Sequence, residues 1–67
     1  MRLTTAQMNE QVTVTCYGNK KQYTRKNALD FFRRAILNCD PDSSESDRYQ
    51  GIYIQLVNGD TIVSDEN

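Results

Sequence analysis

Between positions 11 and 17 polar and apolar residues alternate without a break: Val12, Val14 and Cys16 fall on one side, Thr13, Thr15 and Tyr17 on the other. A period of two, carried by so many β-branched side chains, predicts a half-buried strand. Gly18-Asn19 tolerates positive φ and predicts a tight hairpin turn. Lys20-Lys21-Gln22-Tyr23-Thr24 then returns as a short second strand whose lysines guard an exposed edge. At Thr24, a residue suited to an N-cap, the period changes. Ala28, Leu29, Phe32, Ala35, Ile36 and Cys39 mark one face of a helix over 25–39, with Phe31 and Leu37 at its margins. Opposite them, Lys26, Asp30, Arg33 and Arg34 sit at i,i+3 and i,i+4 spacing. Asp40-Pro41-Asp42-Ser43-Ser44 ends the helix, because proline cannot continue the hydrogen-bond ladder.

Positions 49–63 match two patterns. Tyr49, Ile52, Tyr53, Leu56 and Val57 fit i, i+3, i+4, i+7, i+8, whereas Ile52, Ile54 and Leu56 also alternate. Asn58-Gly59 serves equally as a hairpin turn or as a helix C-cap. The five-for-five helical match and the acidic first turn, Glu45 and Asp47 after a Ser43 or Ser44 cap, tip the balance to a helix over 44–58. Thr61-Ile62-Val63-Ser64 follows as a third strand. The expectation is an α+β domain of order ββααβ over 11–64, two-layered, with a loose leader over 1–10 and a frayed tail over 65–67. Its predicted core is Val12, Val14, Cys16, Ala28, Leu29, Phe32, Ile36, Tyr49, Ile52, Tyr53, Leu56 and Ile62.

At 67 residues with 37 % apolar content and no Trp, the chain makes one thin domain with a stability of a few kcal/mol, for which dimerisation would be a help. No stretch reaches the roughly 20 apolar residues of a membrane helix. The amino end lacks the apolar run of a signal peptide, so the expected location is the cytoplasm. There Cys16 and Cys39 should stay reduced as small buried side chains rather than form a bridge.

A run of identities carries a resemblance. Val12-Thr13-Val14-Thr15-Cys16-Tyr17-Gly18, then Lys21, Tyr23, Arg25, Ala28 and Phe31-Phe32, with Asp47-Arg48-Tyr49, Ile52-Tyr53, Gln55-Leu56, Gly59 and Ser64-Asp65, resembles a family of small uncharacterised proteins encoded in mobile and integrative elements of gut anaerobic bacteria. The resemblance spans about positions 8–66. It implies a cytoplasmic setting and a helix rather than a hairpin over 44–58, and it transfers no functional residue. Cargo of such elements is rich in regulators and inhibitors of nucleic-acid machinery.

Chemistry narrows the choice. The chain has no His, the commonest general base and metal ligand. Three scattered glycines cannot form a phosphate loop. The acidic run 40–47 invites a calcium reading, but counting Asp40 as the first loop position, the sixth is Glu45 rather than glycine and the twelfth is Gly51 rather than glutamate. Neither an enzyme nor a cofactor is expected.

Charge, by contrast, is sorted along the chain. Six of the eight basic residues fall within 18–34 and seven of the nine acids at or beyond 40. Such polarity suits docking by charge complementarity. The candidate contact residues are Lys20, Lys21, Arg25, Lys26, Phe31, Arg33 and Arg34 on the basic side, and Asp40, Asp42, Glu45 and Asp47 on the acidic side. A protein partner is the leading expectation, in one form an inhibitor of a host defence nuclease whose acidic half mimics nucleic acid. The alternative is direct nucleic-acid binding, with 20–34 tracking phosphates and Tyr17 and Tyr23, on or near the hairpin's outer face, stacking bases. A monomer or a weak homodimer is consistent with either.

Overall fold

The computed structural model of the chain describes residues 3–65. Its elements run α1 (Thr5–Met8), β1 (Gln11–Cys16), β2 (Asn19–Thr24), α2 (Arg25–Asn38), α3 (Ser44–Val57) and β3 (Ile62–Ser64). The expected α+β class and ββααβ order are therefore present, preceded by one added helical turn. The sheet has strand order β2-β1-β3, with β1 antiparallel to β2 and parallel to β3.

Local chemistry accounts for most boundaries. Thr24 accepts a bond from the Asn27 amide at 3.3 Å and starts α2. Ser43 does the same for α3 through the Ser46 amide at 3.2 Å. At the far end of α3, Gly59 takes φ +98°, and the amides of Gly59 and Asp60 return to the carbonyls of Leu56 and Gln55 at 3.2 and 3.1 Å. These paired bonds form a Schellman cap, so Asn58-Gly59 closes a helix and turns no hairpin.

The hairpin turn lies one residue earlier than expected. Cys16 pairs with Asn19, leaving Tyr17 and Gly18 as the two-residue loop with φ 52° and 80°. Two positive angles make a type I′ turn, the form whose twist matches antiparallel strands. The pair of strands outside the turn sets the register, so Tyr17 enters the left-handed region although it is not glycine.

Both helices cover one face of the sheet. The core is Val12 and Val14 of β1, Val63 of β3, Ala28 and Phe32 of α2, and Ile52 and Leu56 of α3, with Cys16, Tyr23, Leu29, Tyr49 and Tyr53 packed around them. Two members of the expected core change. Ile62 is 80 % exposed and Val63 takes its place, because the parallel register sets Val63 beside Val14 and Ile62 beside Thr13 on the opposite face. Ile36 is only half-buried. Both thiols are free and half-buried.

Of the segment expected as a loose leader, positions 1–2 lie outside the described residues and the rest is tied to the domain. Thr4 and Gln7 close a capping box around α1, and the Gln7 carbonyl and the Glu10 carboxylate both bind Arg25. Of the expected tail, Asp65 is engaged, as described below, and positions 66–67 lie outside the described residues.

Candidate functional site

Between the hairpin and the two helices, the covered face of the sheet opens into a cleft of about 160 Å³ lined by Val14, Cys16, Asn19, Lys21, Tyr23, Phe31, Phe32 and Tyr49. Its origin is the strand alternation. Asn19, Lys21 and Tyr23 of β2 pair with Cys16, Val14 and Val12, so their side chains share the covered face. On α2, Phe32 points inward and Phe31, one residue earlier on the wheel, overhangs the mouth with 54 % exposure.

Four rings form the wall. Phe31 lies near-parallel to Tyr23 with centroids 6.1 Å apart and edge-on to Phe32 at 5.0 Å, while Phe32 is 5.9 Å from Tyr49. Such offset and edge contacts fix the rings in place. The volume matches one large apolar side chain, since an engineered apolar cavity of about 150 Å³ holds benzene. Burial pushes the Tyr49 phenol above its ordinary pKa, so the ring faces the cleft uncharged.

One end of the cleft is braced by a buried carboxylate. The Asp65 side chain is 1 % exposed, and its Oδ2 accepts from the Tyr17 amide and from Arg48 Nη1, both at 3.0 Å. Arg48 also lies 5.0 Å from the Tyr17 ring centroid. These contacts hold Tyr17 in its left-handed conformation, which a non-glycine residue keeps only when its surroundings enforce it. The Tyr17 amide, joined by Arg48, holds the Asp65 carboxyl below the usual carboxylate range against the opposing effect of burial. Asp65 Oδ1 is buried with no hydrogen-bond partner among the described residues. The Cys16 thiol beside this carboxylate is pushed up, by burial first and by Asp65 next, which leaves little thiolate and a poor nucleophile.

A folded-state pKa below the unfolded value contributes stability that is present above the unfolded pKa and lost as pH falls through the folded one. The urea midpoint should therefore be level above about pH 5 and decline below about pH 4, the ordinary range of a free carboxyl. Asp65→Asn should lower stability at neutral pH and flatten part of this acid limb. An identical limb in the variant would mean that Asp65 is not its source.

The other candidates distribute unevenly. Arg25 is withdrawn from the surface altogether. It is 0 % exposed, and its guanidinium donates to Gln7 O, Leu56 O, Asp60 O, Gly59 O and Glu10 Oε1 at 2.6–3.1 Å. Arg34 lies 3.4 Å from Asp30 one turn earlier. Lys26 and Arg33 border a separate, wider groove with Met8, Leu29, Asp30 and Tyr53. Lys20 and Lys21 are exposed on the two faces of β2. The basic block is thus split among the interior, two clefts and the outer sheet face. Tyr23, expected on or near the outer face, lines the cleft instead. Asp40, Asp42, Glu45 and Asp47 are exposed, but Asp40 Oδ1 accepts the Asp42 amide at 3.0 Å, which gives it a part in shaping the loop. Among the described residues no cluster of three His, Cys, Asp or Glu is arranged to hold a metal.

Sequence reasoning named Phe31 and Lys21 and missed Asp65, Arg48 and Asn19 as parts of one site. Strand alternation would have put Asn19, Lys21 and Tyr23 together once the turn was placed at Tyr17-Gly18. Nothing local marks Asp65. No family model, curated protein or solved structure matches this chain, and its chemistry has to be read from its own residues.

Proposed function

We propose that this is a non-enzymatic interaction domain that docks on a protein partner through the aromatic cleft between β2 and α2. The observation that carries this reading is Phe31: a large ring held over an apolar cleft by Tyr23 and Phe32, more than half exposed, with Lys21 at the rim. A fixed aromatic surface beside a charge is the composition of a binding hot spot. The fitting partner inserts one aliphatic or aromatic side chain and carries acidic residues beside it, which agrees with the charge-complementary docking read from the sequence. A regulatory role in a cytoplasmic, mobile-element setting accords with the family resemblance. Among the described residues no helix is long and apolar enough to cross a membrane.

Less supports nucleic acid. Phosphate tracking needs the basic side chains on one surface, and here Arg25 is interior while Arg33 and Lys21 border different clefts.

Affinity capture from the source cells, run in parallel with the parent and with Phe31→Ala, tests the reading. The parent should retain a specific protein that elutes as salt rises. Phe31→Ala should bind it roughly thirtyfold more weakly, the equivalent of a hot-spot loss of about 2 kcal/mol. Equal retention by both proteins would remove the cleft from the docking surface.

A further inference from the structure

The two edges of the sheet are treated differently. At the β3 edge, Gln55 of α3 lays its side-chain amide along Ser64, donating from Nε2 to Ser64 O at 2.9 Å and accepting the Ser64 amide on Oε1 at 3.3 Å. That pair of bonds is what a neighbouring strand would supply, so this edge is closed from within at Ser64. At the β2 edge no other element of the described chain pairs with the strand. The two-residue turn makes Cys16 and Asn19 a mutually bonded pair, and bonded pairs alternate with open ones in an antiparallel ladder. Asn19, Lys21 and Tyr23 thus spend their main-chain groups on β1, and Lys20 and Gln22 turn theirs outward.

We propose that the β2 edge takes an extended acidic segment of a protein partner as a fourth strand, with one apolar side chain of that segment seated in the aromatic cleft. This deepens the docking reading above and rests on it. The geometry is that of strand addition in a groove between a sheet edge and a helix. An incoming residue opposite Lys21 falls on the covered face, directly over the cleft. Its two neighbours fall on the outer face, one beside Lys20 and the other beside Gln22. Alternation of acid and apolar residues is therefore the matching pattern. Charge also selects the occupant. A second copy pairing β2 with β2 would set lysines against lysines, which opposes self-association at this edge, whereas carboxylates meet complementary charge.

The test is amide-resolved NMR of the full chain titrated with a blocked hexapeptide, Glu-Phe-Glu-Val-Glu-Gly. Binding should shift the Lys20 and Gln22 amides together with Tyr23 and Phe31 resonances, and slow hydrogen exchange at Lys20 and Gln22 by tenfold or more. Gln22→Pro deletes an outward N–H that makes no bond within the sheet, at an edge where proline is tolerated, and should weaken binding at least tenfold. Should that variant not fold, the same decision falls to the peptide N-methylated at the residues facing β2, which should bind at least tenfold more weakly to the parent. If peptide moves the cleft resonances but neither change matters, strand addition is overturned and the cleft reading stands. If Phe31→Ala binds normally while Lys20 and Gln22 still respond, strand addition stands and the cleft reading falls. Equal binding of a peptide with Lys in place of Glu overturns the acidic specificity. A response to octathymidylate in place of the peptide, or to neither probe at millimolar concentration, overturns the proposal.

Discussion

Arg25→Ala should remove about 2–5 kcal/mol, a large share of the stability of the fold at 25 °C. A guanidinium has five N–H donors, and in this fold each finds an oxygen: Nε on Gln7 O, Nη1 on Leu56 O and Asp60 O, Nη2 on Glu10 Oε1 and Gly59 O. One of these acceptors, Leu56 O, is in the last turn of α3, where the helix dipole favours a cation, and Gly59 O and Asp60 O lie just beyond its cap. Removing the side chain empties a fully buried site and takes this donor from Gly59 O and Asp60 O, while Leu56 O and Gln7 O keep backbone donors and Glu10 is half-exposed; a void with unpaired carbonyls costs about 2–5 kcal/mol. A domain of this length has roughly 3–10 kcal/mol in all. Arg25→Lys should recover less than half of the loss, since one ammonium cannot span acceptors arranged for a planar fork. Urea titration followed by far-UV circular dichroism reads both variants. An Arg25→Ala protein within about 1 kcal/mol of the parent would show that the network is dispensable, because that is no more than a surface ion pair contributes.

Phe32→Ala is the second large effect, and its neighbour supplies the control. Phe32 is 2 % exposed and touches Tyr23, Phe31 and Tyr49 at 6.5, 5.0 and 5.9 Å between ring centroids. Truncation removes a core side chain and the back wall of the cleft together, and should cost about 3–5 kcal/mol. Phe31→Ala should cost less than about 1 kcal/mol of stability, the ordinary range for a largely exposed position, while weakening docking roughly thirtyfold. Two adjacent phenylalanines then separate stability from function. Equal destabilisation by the two changes in thermal unfolding would contradict the assignment of Phe31 to the surface.

The periodic segments were legible from their residues. The apolar spacing of α2, the Thr24 and Ser43 caps and the Asn58-Gly59 stop all act within a few residues of one another, and a helix is set by contacts of that range. The choice of a helix over a hairpin for 44–57 followed from the same local chemistry, with the five-for-five helical match and the acidic first turn of α3 as the deciding features. Even Arg25 left a trace, since it lies seven positions before Phe32 and so on the apolar stripe. Read as one more charge in a basic block, it went to the surface.

Tertiary structure decided the rest. A three-residue strand has no phase of its own, and only pairing with β1 settled that Val63 faces in and Ile62 out. The turn moved to Tyr17-Gly18 because strand register, braced by Asp65 from 48 residues away, outweighs the left-handed preference of a single dipeptide. Clustering of the basic residues along the chain did not carry over whole into space, because strand and helix send successive side chains to different faces and Arg25 into the interior. The amino acids by themselves determined which stretches would turn, extend or coil and which stripes would seek cover. Their long-range partners, and with them the open edge, the cleft and the buried arginine, arose only when elements distant in the chain met, since the free energy of those contacts depends on burial that no local segment possesses.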